Sequence, residues 1–128
     1  MIDKFSVIIQ ARVSSKRFFG KVLKKIGKKT ILEIIIQRIK KSNKIDKIVI
    51  ATTENKEDLK IISLAKKLKV NYYKGSENNV LERYYFAAKK FNIKNIIRVT
   101  ADCPFTDPEI IDDLISIYKK NSVSYASN

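Results

Sequence analysis

Directly behind the apolar run Phe5 to Gln10, the chain sets Arg12, Lys16, Arg17 and Lys21 among Ser14, Ser15 and Gly20. A polyphosphate calls for these residue types: cations to offset its charge, hydroxyls and backbone N–H groups for its oxygens, and a glycine where main chain must approach closely. The competing reading is an ordinary basic surface turn. Phosphate binding is preferred because two of the cations are arginines in a lysine-dominated chain, and a guanidinium suits bidentate phosphate contact. The Gly-Lys-Ser/Thr ending of a Walker loop is absent.

Asp102 is the second chemical candidate. Just past a strand end, its carboxylate can hold Mg²⁺ against substrate phosphates. Alone it would read as a turn former ahead of Cys103 and Pro104; a basic loop expected on the same edge favours metal binding. Histidine is absent, which removes His triads, His bases and His metal ligands. Cys103 has no imidazole to activate it and is expected to be a small buried residue. Asp107 is expected to cap a helix. Arg98, inside an apolar strand, is expected to meet a carboxylate, with a structural and a substrate role both open.

These residues need elements to carry them. Short β-branched runs at Phe5–Gln10, Lys47–Ala51, Val70–Tyr73 and Asn95–Val99 read as strands. Four helices alternate with them. Thr30 and Glu33 form a capping box ahead of Ile31, Ile35 and Ile39. Asn55 is expected to cap a helix with Leu59, Ile62, Ala65 and Leu68 inward and Lys60, Lys66 and Lys67 outward. Residues 79–91 place Leu81, Tyr84, Ala88 and Phe91 on one face, and Asp107-Pro108 opens a helix bearing Ile111, Leu114, Ile115 and Tyr118. Tyr72, Tyr73, Tyr84, Tyr85 and Phe86 follow these periodicities and are expected in the core rather than on a base-stacking surface. Alternating strands and helices predict an α/β fold with a mostly parallel sheet covered on both faces. In such sheets ligands bind beyond the carboxyl ends of the strands. There the loops ARVSSKRFFGK, TTENK, KGSENN and TADCPFTD should meet.

At 128 residues with 45% hydrophobic side chains, the chain suits one folded unit with a sizeable core. Its formal charge of +14 favours phosphate-bearing partners. Paired lysines such as Lys24-Lys25 and Lys66-Lys67 read mainly as solvated surface. A basic nucleic-acid-binding domain is the alternative of another class; it ranks lower because no groove-reading helix or stacking platform is evident. A lone cysteine, no secretory start and no apolar run near the roughly 20 residues of a membrane span point to the cytoplasm and away from membranes. The final SVSYASN reads as the start of a further strand, so residues 1–128 are expected to be the nucleotide-binding part of a domain truncated at its C-terminus.

Together, IIQARVSSKRFFGKVL, IVIATT, GSENNVLERYY and RVTADCPFTDPEIID resemble the cytidylyltransferases of the spore-coat polysaccharide biosynthesis type. These are relatives of the enzymes that make CMP-sialic acid and CMP-KDO. The resemblance runs from about residue 5 to residue 128. It implies a three-layer Rossmann-like nucleotide-diphospho-sugar transferase (GT-A-like) fold and the transfer of CMP from CTP to a sugar hydroxyl. By the same resemblance, Ala11 and Arg12 meet the nucleotide, and Ser15, Arg17 and Lys21 hold the triphosphate beside Ser14. Thr52 and Thr53 line the nucleotide pocket, and Asn78, Asn79 and Arg83 lie near the base. Asp102 carries Mg²⁺, with Arg12 and Lys21 as its catalytic companions. The family usually has Leu-Pro where this chain has Phe18-Phe19, and often Gly in place of Ser14. Family members continue for roughly as many residues again, with acceptor contacts, a second metal carboxylate and a dimerisation arm, which allows a homodimer in a full-length form. Phosphate loops do not read bases, so UTP or GTP in place of CTP stays open.

Overall fold

The structure, a computed structural model, describes residues 4–14, 20–101, 104–121 and 123–127. In chain order it comprises β1 (Phe5–Gln10), β2 (Lys25–Ile26), β3 (Lys29–Thr30), α1 (Ile31–Ile39), β4 (Ile45–Thr53), α2 (Leu59–Leu68), β5 (Asn71–Gly75), α3 (Val80–Lys90), β6 (Asn95–Thr100) and α4 (Pro108–Asn121). The main sheet has four strands in the order β5-β4-β1-β6, and each of its neighbouring pairs is parallel. Strands β2 and β3 form a small antiparallel hairpin ahead of α1.

The expected α/β architecture is therefore present, and each face of the sheet has its own core. Val7, Ile9 and Ala11 beside Ile50 and Val99 pack against α1, α2 and α4, which contribute Leu32, Ile35, Ile36, Ile61, Ile111 and Ile115 among others. Ile8, Val49 and Ala51 face the other way, onto Tyr84, Ala87 and Ala88 of α3. Because β1 sits between two strands and under helices on both faces, its run of apolar residues lacks the alternation of a half-exposed strand. Ile96, Arg98 and Thr100 of β6 lie on the α3 face but remain exposed.

Local signals account for the helix starts. The Thr30 side chain accepts a hydrogen bond from the Glu33 N–H at 3.1 Å, as a capping box requires. Asp107 Oδ1 accepts from the Glu109 N–H at 2.8 Å, ahead of α4. Asn55 behaves differently from expectation: its side chain makes no cap, and a 3₁₀ turn over Lys56–Asp58 leads into α2 instead. Strand β4 extends beyond its expected bounds at both ends: Ile45 pairs with Phe5 of β1 across a register shift that takes in Asp46 and Lys47, and Thr52 and Thr53 pair with Lys74 and Gly75 of β5.

Two expected core faces are corrected. The buried stripe of α3 is Arg83, Tyr84, Ala87 and Ala88, and Leu81, a quarter turn from its centre, is 81% exposed. Tyr85 and Phe86 lie on the outer side of the same helix, edge to face with one another and exposed; among the expected core aromatics Tyr84 alone is buried, with Tyr72 and Tyr73 half-buried. In α2 the inward residues are Ile61, Ile62 and Ala65, and Leu59 is exposed. Residues 123–127 form no strand. Among the described residues no helix is long and apolar enough to cross a membrane.

Candidate functional site

Parallel pairing brings the carboxyl ends of the four main strands to one edge, and hydrogen bonds there tie the departing loops together. The Ala11 N–H donates to Ala51 O at 3.1 Å and the Ala101 N–H to Gln10 O at 3.1 Å, extending the ladders one residue past β1 and β6. The Gly20 N–H then donates back to Val13 O at 2.8 Å, closing the basic segment into a loop with Arg12 and Ser14 at one root and Lys21 at the other. Gly20 has φ 74, a left-handed conformation that suits glycine. Ala11 is buried, and Arg12, Ser14 and Lys21 are partly exposed.

The loop after β5 meets this segment. Arg12 Nη1 lies 3.8 Å from Glu77 Oε1, and the Ser14 hydroxyl donates to the same oxygen at 3.4 Å. Beneath them Arg83, buried at 1% exposure, donates from Nε to Ser76 O at 3.0 Å and from Nη2 to Glu77 O at 3.3 Å. Its Nη1 has no hydrogen-bond partner among the described residues. Burial pulls the Arg83 guanidinium below its ordinary value, and the neighbouring Arg12 cation acts in the same direction. Gly75 makes the packing achievable: a Cβ there would stand 2.7 Å from Tyr73 Cε2 and 3.0 Å from Arg83 Cγ.

The end of β4 and the segment after it complete the arrangement. Thr52 and Thr53 are buried. The Thr53 hydroxyl bonds to Asp58 Oδ2 and accepts from the Asn55 N–H at 3.1 Å, while Thr52 Oγ1 has no partner among the described residues. Asp58 Oδ1 accepts from the Val13 N–H at 2.7 Å, fastening the first loop to the second.

Among the expected site residues, Arg12 and Ser14 are thus brought together, Lys21 stands at the loop's far root, and Arg83 underpins the facing loop. Asn79 does a different job, capping α3: its Oδ1 accepts from the Glu82 N–H at 3.0 Å. Asn78 is exposed. Ser15, Arg17 and Asp102, together with Lys16, Phe18, Phe19 and Cys103, lie outside the described residues. Among the described residues Arg98 has no carboxylate partner; it donates to Gln10 Oε1 at 3.3 Å, and its guanidinium carbon lies 5.5 Å from the Tyr84 ring centre. Sequence reasoning missed Asp58 and Glu77. The available signal was that each is a carboxylate in or just beyond a loop assigned to the carboxyl edge.

The Cytidylyltransferase family model matches residues 6–128. The spore coat polysaccharide biosynthesis protein SpsF of Bacillus subtilis is 34% identical over 122 residues, covering 92% of this chain and 51% of that protein. An uncharacterised protein of Methanocaldococcus jannaschii is 48% identical over 120 residues, covering 94% of this chain and 49% of its own. Among solved structures, a cytidylyltransferase from Leptospira borgpetersenii matches with a TM-score of 0.89 at 38% identity, over 94% of this chain and 50% of that one. A CMP:2-keto-3-deoxy-manno-octonic acid synthetase complexed with CTP matches with a TM-score of 0.81 at 17% identity, over 94% of this chain and 49% of that one, and bears on the fold alone. The chain spans about half the length of the curated relatives it matches.

Proposed function

The chain belongs to the cytidylyltransferase family, and from that premise we propose that it is the nucleotide-binding part of a CTP-dependent sugar cytidylyltransferase serving surface polysaccharide biosynthesis. The observation that carries this reading is the basic loop closed between Val13 and Gly20, which presents Arg12, Ser14 and Lys21 at the carboxyl edge of a parallel sheet, where such folds bind ligands. In the reaction a sugar hydroxyl attacks the α-phosphorus of CTP in line, an O–P bond forms as the hydroxyl proton passes to water, and the bond to pyrophosphate breaks. Arg12, Arg17 and Lys21 offset charge on the phosphates, the main demand of such transfers. Ser14 and Ser15 donate to phosphate oxygens.

Mg²⁺ is assigned to Asp102. A hard carboxylate oxygen suits this ion, which one carboxylate can hold against substrate phosphates. When bound, the ion adds charge neutralisation on the phosphates.

Calorimetry of CTP binding with Mg²⁺ tests the assignment. Arg12→Ala and Asp102→Asn are each expected to weaken binding by about tenfold or more, as loss of a charge-assisted contact does. Equal affinity in all three proteins removes the assigned roles. Parallel titrations with UTP, GTP and ATP examine the base, and indifference among the four would move the reading to a nucleotidyltransferase of other specificity. RNA binding that is strongly salt-dependent and not competed by CTP would favour the nucleic-acid class instead.

A further inference from the structure

We propose that Asp58 is a positioning residue for the nucleotide site: a buried carboxylate that locks the root of the basic loop onto the end of β4 and so sets where Arg12 and Ser14 stand. The inference rests on the nucleotide-binding reading above and assigns a role to a residue buried behind the loop.

Burial and hydrogen bonding carry the argument. Asp58 is 1% exposed and is the one acidic side chain among the buried described residues. A carboxylate taken out of water is costly unless its oxygens are occupied. Here both are: Oδ1 accepts from the Val13 N–H at 2.7 Å, and Oδ2 bonds to the Thr53 hydroxyl. The nearby Arg83 guanidinium supplies opposite charge. The bond to Val13 crosses 45 residues of sequence and lies immediately beyond the Ala11–Ala51 rung, where β1 and β4 cease to be held by their own backbones. Val13 is flanked in sequence by Arg12 and Ser14 and also accepts the Gly20 N–H that closes the loop. One carboxylate therefore fixes the residue on which the loop's geometry turns.

The test combines CTP titration with hydrogen exchange at the Val13 amide, in the whole chain. Asp58→Ala is expected to speed Val13 exchange and to raise the Kd for CTP by about tenfold or more, the scale on which small misplacements act. Asp58→Asn is expected to restore both, because its carboxamide oxygen accepts from Val13 while the Thr53 hydroxyl turns to accept from its N–H. Ile115→Val, a core change remote from the site, is expected to lower Tm and leave the Kd unchanged, which separates positioning from general destabilisation. A native Kd in folded Asp58→Ala overturns the proposal. Should that variant not fold, Thr53→Ala removes one anchor and is expected to weaken CTP binding about threefold; an unchanged Kd there overturns it equally. If the unsubstituted chain binds no CTP, the functional reading fails, and Val13 exchange still decides: protection unchanged in Asp58→Ala, or in Thr53→Ala where the former does not fold, excludes the lock.

Discussion

The two faces of the sheet are built on different terms. Under α1, α2 and α4 the contacts are aliphatic, with Val7, Ile9, Ile50 and Val99 meeting isoleucines and leucines from three helices. Under α3 the core is smaller, with Ile8, Val49 and Ala51 meeting two alanines and a tyrosine from one helix, and that helix also buries Arg83. Beyond α3, the β6 residues Ile96, Arg98 and Thr100 are exposed. Hydrophobic burial is non-directional and scales with area, so the first face suits stability. Buried polar groups demand defined partners; the helix on the second face can therefore hold a loop in one place, as Arg83 does for Ser76 and Glu77.

Substitution within the sheet tests this division, and the largest effect is expected on the first face. Ile9 is fully buried there, and Ile9→Ala should cost about 2–5 kcal/mol by denaturant unfolding. Ile96→Ala, on the uncovered part of the second face at 43% exposure, should stay within about 0.5 kcal/mol. Equal losses would break the comparison.

A smaller, more local effect is expected at Arg83. Truncation to alanine leaves two loop carbonyls without their donors, a cost of about 1–3 kcal/mol. Its signature should be faster amide exchange in residues 76–79 rather than across the sheet. Arg83→Lys should recover little, because an ammonium lacks the planar fork that reaches both carbonyls. Uniform acceleration of exchange would instead make Arg83 a general stabiliser and dissolve the distinction between the faces.

The first face was the more legible in the sequence. Its strands and helices announce themselves by periodicity and by caps at Thr30 and Asp107, signals that act within a few residues. The second face was misjudged where the same reasoning was applied to α3. Leu81, Tyr85 and Phe86 are apolar and well spaced, but the covering helix is rotated so that Arg83 goes inward. Periodicity registers hydrophobicity and cannot foresee a buried guanidinium held by loop carbonyls. The site divides similarly. The basic loop behind β1 was visible as a cluster of residue types, and the carboxyl-edge rule located its neighbours. Glu77 and Asp58 act across long sequence separations, and only the register of β1, β4 and β5 brings them to Arg12, Ser14 and Val13.

The smallest expected effect concerns pH and tests how dry the second face is. Burial raises the Tyr84 hydroxyl above its ordinary value of 10.0, against an opposing pull from Arg98. A raised value in the fold means that the native state holds the phenolic proton more tightly than the unfolded chain does. That contribution is complete below pH 10.0 and is lost as pH rises through the folded value. Many lysines titrate in the same range, so the informative quantity is the stability difference between the unsubstituted protein and Tyr84→Phe. That difference should fall in disfavour of the tyrosine above pH 10.0, no more steeply than about 1.4 kcal/mol per pH unit, the limit for one group. A difference that stays flat would mean that water reaches the hydroxyl, and that α3 covers its face less completely than the burial of Tyr84 implies.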